Sequence, residues 1–477
     1  VVLIGLGTSE AWGQLEITDV FRYGSPDIDE CNAHIKTLDG GYMVFGYSWN
    51  YGGPQPSAML MKLGSDGDSL WTRNYSMHGS IFGKYLAERE DSTFVFVTTT
   101  VELINDTTFG DLNLTLLTLD KNGDSLGAIT YGSASDEECN SAIFLDGYIY
   151  SVGFYRDSEG AARDFWMMKT TLDCDSVWSR HYGSNLDENC LRVKPLDFGR
   201  LALLGYTSSN NGGDDYFMLI TTLDGDSLAT YTYRDIDDSR CYSLEIIGET
   251  YYLLGRAIHS IPLNDNILLV AINQDLRFEW AKTIGVNPNG SSEGCYSSLK
   301  TTRSTLLLSG DFTIDCGILE IDSHGNILDS AYIEENSWWT LSALDEGNGK
   351  ASFAGQVGTN HEGPKLSDFT LWKVDIPYNK VSQSAGIKEF RMSPQIFPNP
   401  ANSSLSVVFP FSFFIEARLM LYDPRGRLVY DALMQYPQSS DYRSTSLDLS
   451  RIASSGVYIL KLQSGPATFA NKIVILK

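Results

Sequence analysis

The feature that most constrains the fold is an internal repeat. A residue closing a strand recurs at Tyr23, Tyr75, Tyr131, Tyr182, Tyr233, Ile284 and Tyr332, at intervals of 48–56 residues. Three copies read alike: Tyr23-Gly24-Ser25, Tyr131-Gly132-Ser133 and Tyr182-Gly183-Ser184. Seven copies of one unit form a repeat array, which also suits a chain of 477 residues, too long for one compact core.

Each unit holds four short strands. In the first unit an acidic loop leads to the first strand, Cys31 to Leu38, and then to the turn Asp39-Gly40-Gly41, where glycine supplies the positive φ of a tight hairpin. The second strand, Tyr42 to Gly46, ends at a glycine that recurs as Gly153, Gly205, Gly255, Gly310 and Gly355, with Thr98 the exception. A glycine inside a strand marks close backbone approach, expected where inner strands converge on an axis. The third strand alternates, as in Phe165-Trp166-Met167-Met168-Lys169, and a turn such as Asp66-Gly67-Asp68-Ser69 leads to the fourth.

Four strands per unit of about 50 residues is the signature of propeller blades. The seventh unit stops after its third strand, Phe369 to Asp375, while Leu15 to Tyr23 precedes the first unit with no partner. Pairing the two completes seven four-stranded blades and removes both open edges. Residues 14–376 thus resemble secreted bacterial propeller repeats built on an Asp-Gly-Gly-Tyr hairpin, a later glycine and an Asp-x-x-Gly turn. The fold expected is all-β, a seven-bladed β-propeller followed by a small β-sandwich.

The sandwich begins after a linker, residues 377–394. From 395 to 477 the sequence holds alternating strands such as Leu419-Met420-Leu421-Tyr422 and Val457-Tyr458-Ile459-Leu460, separated by turns, the pattern of an immunoglobulin-like antiparallel sandwich. Four elements resemble, in order and spacing, the type A sorting domain of the type IX secretion system of Bacteroidota. They are Pro398-Asn399-Pro400, the hairpin Tyr422-Asp423 to Gly426-Arg427, Gly456-Val457-Tyr458, and Lys472 to Lys477. The resemblance implies a Gram-negative protein that engages the type IX machinery and is released or held at the outer cell surface, its tail commonly cleaved. At the other end, the apolar run from Val1 and the small residues around Ala11-Trp12-Gly13 read as the remnant of a signal peptide, residues 1–13, with the sequence starting inside it.

Composition narrows the partners. A net charge of −25 repels phosphate backbones and anionic lipid, which excludes nucleic acid, and no later stretch approaches the ~20 apolar residues of a membrane span. Cys31, Cys139, Cys190 and Cys241 each fall eight residues after the repeat tyrosine, and Cys295 eleven after Ile284, so they are one structural position repeated. They are expected to be small buried thiols too far apart for disulfides.

No catalytic set emerges. His34, His78, His181, His259, His324 and His361 fall at unrelated repeat positions, and there is no nucleophile elbow, zinc motif or phosphate loop. Acidic residues before the first strands, Asp29, Glu30, Glu137, Glu138, Glu188 and Glu293, either crowd one mouth of the channel and attract calcium or cap backbone N–H groups. No other cofactor is implied. The long loops after the second strands carry Trp49 and Tyr51, aromatics that can stack on sugars. Two functions follow: a binding protein for an extracellular glycan, protein or cation, or a polysaccharide hydrolase or lyase using carboxylates on that face.

Overall fold

The computed structural model describes residues 15–376 outside segments 24–27, 50–55, 77–78, 106–107, 133–134, 159, 209–212, 235–237, 261–262, 285–292, 313–314, 334–336 and 360–365. Beyond 376 it describes 395–397, 404–409, 416–423, 425, 427–435, 443–448, 456–464 and 467–475. The chain divides into two units, Val1–Gln383 and Ser384–Lys477. The signal-peptide and linker segments of the sequence reading lie outside the described residues.

Among the described residues, the first unit is built of four-stranded antiparallel sheets like propeller blades. Six are made of consecutive strands. The remaining one takes Ser337–Gly347, Lys350–Thr359 and Leu366–Asp375, and is finished by Glu16–Tyr23 from the far end of the sequence. That strand runs antiparallel to Leu366–Asp375, from Glu16 opposite Asp375 to Tyr23 opposite Phe369. The pairing required by the two unclaimed segments is therefore present.

Packing follows the two-residue period of a strand. In the sheet that starts at Asp29, Tyr42 and Val44 pack on Phe369 and Leu371 of the sheet behind, while Met43 and Phe45 pack on Ile81 and Phe96 of the sheet ahead. Similar apolar clusters fill the spaces between the other successive sheets. Inner strands are consequently buried on both faces; Ser57–Leu63 is buried at every position. The first strands of successive sheets also neighbour one another, and Asp29–Lys36 closes the succession against Ser337–Gly347.

The recurring glycine has a different cause from the one its sequence suggests. Every first strand carries a one-residue bulge here, and in five the register steps past a cysteine, from Cys31 to Ala33, Cys139 to Ser141, Cys190 to Arg192, Cys241 to Ser243 and Cys295 to Ser297; the other two step from Gly83 to Tyr85 and from Thr340 to Ser342. Each thiol donates to the carbonyl beyond the bulge, with S···O of 3.3–3.8 Å. The bulge turns the preceding carbonyl toward the second strand, where a Cβ on Gly46, Gly153, Gly205, Gly255 or Gly310 would lie 1.7–2.0 Å from its oxygen. Bulge geometry, rather than convergence on an axis, demands the glycine. In the exceptional unit the residue types are exchanged, Thr98 facing Gly83. The five thiols are free and buried, and burial pushes those of Cys139 and Cys241 up to about 12.

Four of the repeat tyrosines tie their sheet to the next. Tyr23 donates to the carbonyl of Gly67. Tyr75 and Tyr182 donate likewise to Gly123 and Gly225, each at 2.7 Å, and Tyr131 to Cys174 at 2.5 Å. Each acceptor sits in the turn before the fourth strand of the following sheet. Gly123 has a φ of 80°, and a Cβ there would meet the Trp71 ring at 2.7 Å. Cys174 takes the same left-handed conformation with a buried side chain, so it replaces a turn glycine.

The second unit contains two antiparallel sheets among its described residues. One joins Gln395–Phe397, Ser404–Phe409 and Arg443–Asp448. The other orders Leu428–Gln435, Glu416–Tyr422, Gly456–Ser464 and Ala467–Ile475. Leu419, Leu421 and Leu460 are fully buried there.

Two outcomes test this packing. Gly153→Ala should cost roughly 1–3 kcal/mol or more by overpacking the bulge, whereas Gly127→Ala, whose Cβ would meet nothing within 4 Å, should cost far less; urea unfolding compares them. His34 is buried at the closure, with Ser342 Oγ 2.9 Å from Nδ1 and Ser352 Oγ 2.9 Å from Nε2. Burial lowers its pKa to about 4, against a smaller opposing pull from Glu346. The unfolded imidazole titrates near 6.5, so the unfolded state binds more protons between those values and stability falls as pH drops from about 6.5 toward 4. The loss should reach about 3 kcal/mol and disappear in His34→Gln, as read from unfolding midpoints across that pH range.

Candidate functional site

First strands begin, and second strands end, at the same edge of each sheet, as Asp29 opposite Ser48 and Asp136 opposite Arg156 show. The acidic residues singled out by sequence stand at this edge. They are not loop residues: Asp29 and Glu30 open Asp29–Lys36, Glu137 and Glu138 lie in Asp136–Leu145, Glu188 opens Glu188–Leu196, and Glu293 opens Glu293–Lys300. The strands start earlier than apolar pattern suggests because their polar first residues already pair with the second strand. Alternation then decides which carboxylates turn inward.

Asp29, Glu137 and Glu188 turn inward and are buried. Glu188 accepts from the Ser184 hydroxyl and, at 3.2 Å, from Thr207, and burial raises its pKa. Glu30 and Glu138 are half-buried. Glu30 accepts from Tyr47, and Glu138 faces Lys84 at 3.8 Å. Trp49 is 39% exposed, its backbone N–H donating to Ile28. Tyr51 and the side chain of Glu293 lie outside the described residues. Among the described residues, no group of three or more His, Cys, Asp or Glu is arranged to hold a metal ion.

A second acidic row escaped the sequence reading as a separate set. Asp136, Asp187 and Asp238 each stand three residues before a repeat cysteine and accept a backbone N–H from the preceding sheet: Leu112 within the third strand at 3.0 Å, and Arg163 and Asp214 at the start of the third strand at 2.9 and 2.8 Å. Spacing from the cysteine was the available signal. Arginines complete the row. Arg163 pairs with Asp187 and Arg240 with Asp214, and both lie over Tyr206, at 5.9 and 4.6 Å from its centroid. Hydrogen bonds from Arg163 hold the Asp187 carboxyl below its ordinary range despite burial. The edge thus offers aromatic faces and fixed, mostly neutralised charges, a surface suited to polar recognition.

The tail's motif residues form turns and pairs. Asp423 accepts from the N–H groups of Arg425 and Arg427, each at 2.9 Å, and pairs with the Arg427 guanidinium at 2.8 Å, closing the hairpin. Gly456 stands opposite Ile475, Tyr458 opposite Ile473 and Lys472 opposite Ile459. Tyr458 is buried. Pro398, Asn399, Pro400, Gly426 and Lys477 lie outside the described residues.

Residues 395–476 match the family described as secretion system C-terminal sorting domain. The chain is therefore a propeller-like all-β protein with a type IX sorting tail, which implies an exported protein. No curated protein matches the chain. Among solved structures it is similar to a puromycin hydrolase (13% identity, TM-score 0.45, 81% of this chain and 61% of that one) and to Drosophila Plexin A in complex with Semaphorin 1b (9%, 0.43, 77% and 88%). A protein of unknown function from Bacteroides caccae is also similar (12%, 0.33, 53% and 81%). Similarities of this size say nothing of activity.

If the inward carboxylates serve structure, Glu188→Gln should change unfolding free energy by no more than about 1 kcal/mol, since an amide oxygen still accepts from Ser184 and Thr207. Melting curves in calcium and in chelator should then agree. A calcium-dependent stabilisation lost in this variant would return Glu188 to a cation site.

Proposed function

We propose that the chain is an exported binding protein: a seven-bladed β-propeller, residues 14–376, joined by a linker to an immunoglobulin-like sorting domain that delivers it to the outer cell surface or the medium. The match over residues 395–476 carries the export part of this reading. Closure of Glu16–Tyr23 on Leu366–Asp375, with apolar clusters between successive sheets, supports the propeller. Binding is favoured at the edge that holds Glu30, Tyr47, Trp49, Glu138 and the Arg163–Tyr206–Arg240 stack, because its groups are rigid and already paired. The ligand is an extracellular glycan, a protein or a cation. The hydrolase reading draws less support, since Glu188, Glu30 and Glu138 each have a local partner that holds them in place.

Removal of residues 395–477 should leave a folded body that accumulates in the periplasm of its host. Fractionation and immunoblotting read the outcome, and normal amounts of the shortened protein outside the cell would end the export reading. A glycan array probed with the full chain, followed by a turnover assay on every hit, separates binding from hydrolysis.

A further inference from the structure

The first strands carry several basic residues where they gather, and most are neutralised. Lys36, Lys84, Lys194 and Arg240 face Glu346, Glu138, Glu245 and Asp214. Arg192 is different. Among the described residues its guanidinium makes one hydrogen bond, Nη1 donating to the carbonyl of Leu191 at 3.0 Å, and it has no carboxylate partner. At the equivalent step past the bulge, other sheets place Ala33, Tyr85, Ser141, Ser243 and Ser297, all uncharged.

The register fixes where Arg192 lies. It stands opposite Leu204, which packs toward the sheet that begins at Asp238, so Arg192 shares that face. There it interacts with Tyr242, the bulge residue of that next sheet, while Val193 turns the other way into the preceding apolar cluster. Arg192 is partly open to solvent, yet surrounding protein pulls its pKa below the ordinary arginine value. It stays charged at any physiological pH. With Nη1 held by Leu191, Nε and Nη2 form the free edge of the guanidinium, two parallel N–H donors at the spacing of carboxylate oxygens.

We propose that Arg192 anchors a carboxylate-binding site on the inner edge between the sheets that begin at Glu188 and Asp238, with Tyr242 as its neighbour. In a chain of net charge −25, an unpaired guanidinium in this position gives an acidic ligand a local attraction that the rest of the surface denies it. The inference rests on the binding reading above and deepens it by naming the chemistry: a small acid, or an acidic sugar carrying a carboxylate.

Calorimetric titration of the full chain with acetate, D-glucuronate, D-glucose and inorganic phosphate tests it. Acetate and D-glucuronate should bind once per chain, and glucose should not. Arg192→Lys, which keeps charge without the fork, should weaken carboxylate binding about tenfold, and Arg192→Gln more. Lys300→Gln, a change at an exposed basic residue, should leave it unaltered. Unchanged carboxylate affinity in Arg192→Gln, or phosphate bound in preference to both carboxylates, would overturn the proposal. Should the variants fail to fold, acetate must still slow phenylglyoxal modification of Arg192 in the unmutated chain, and absence of protection counts against the site. A glycan or protein ligand that binds Arg192→Gln normally would sink this inference alone and leave the general binding function standing.

Discussion

The first unit depends on one constraint: its sheets have two apolar faces, and each face needs another sheet. A strand sends alternate residues to opposite sides, so Tyr42 and Val44 require the sheet behind as surely as Met43 and Phe45 require the one ahead. Large apolar side chains gain about 1.5–3 kcal/mol each on burial, which an open stack would forgo at both ends. Closure resolves this. Tyrosine hydroxyls, turn glycines and the buried His34 then act as local fastenings on an arrangement that burial already imposes.

This division explains what could be read from sequence. Repeat length, hairpin glycines and the two unclaimed end segments come from short-range pattern and counting, and they led to propeller-like sheets and to the pairing of Glu16–Tyr23 with Leu366–Asp375. The reason for Gly46 and its counterparts was hidden, because a bulge is a relation between two strands and leaves no mark on either alone. The acidic residues were misplaced by the same blindness. Asp29 and Glu188 look like loop residues by composition, yet they pair within strands and turn inward. Arg192 stands out in sequence only by its count from Cys190, where the other cysteine repeats place Ala33, Ser141, Ser243 and Ser297, and its want of a carboxylate partner among the described residues is visible only in space.

In the tail, sequence and geometry agree on different grounds. Residues 395–476 match a sorting domain, and the structure shows what Asp423 does there: its carboxylate holds the N–H groups of Arg425 and Arg427 and so shapes the hairpin. Tyr458 fills the interior of the sheet that this hairpin extends. The described motif residues, Asp423, Arg427 and Tyr458, thus do fold chemistry in the hairpin and the sheet it joins.

The strand that completes the last sheet leaves the ribosome long before its partner. Glu16–Tyr23 must wait, unpaired, until Leu366–Asp375 has been made, a separation that makes closure a late and slow event in folding. During that wait its exposed edge invites pairing with other chains. The sorting tail comes later still, beginning only after the closing segment. A nascent chain cut short anywhere before Asp375 thus has neither a finished last sheet nor an address. Gene order alone makes the address a certificate that every sheet has been synthesised.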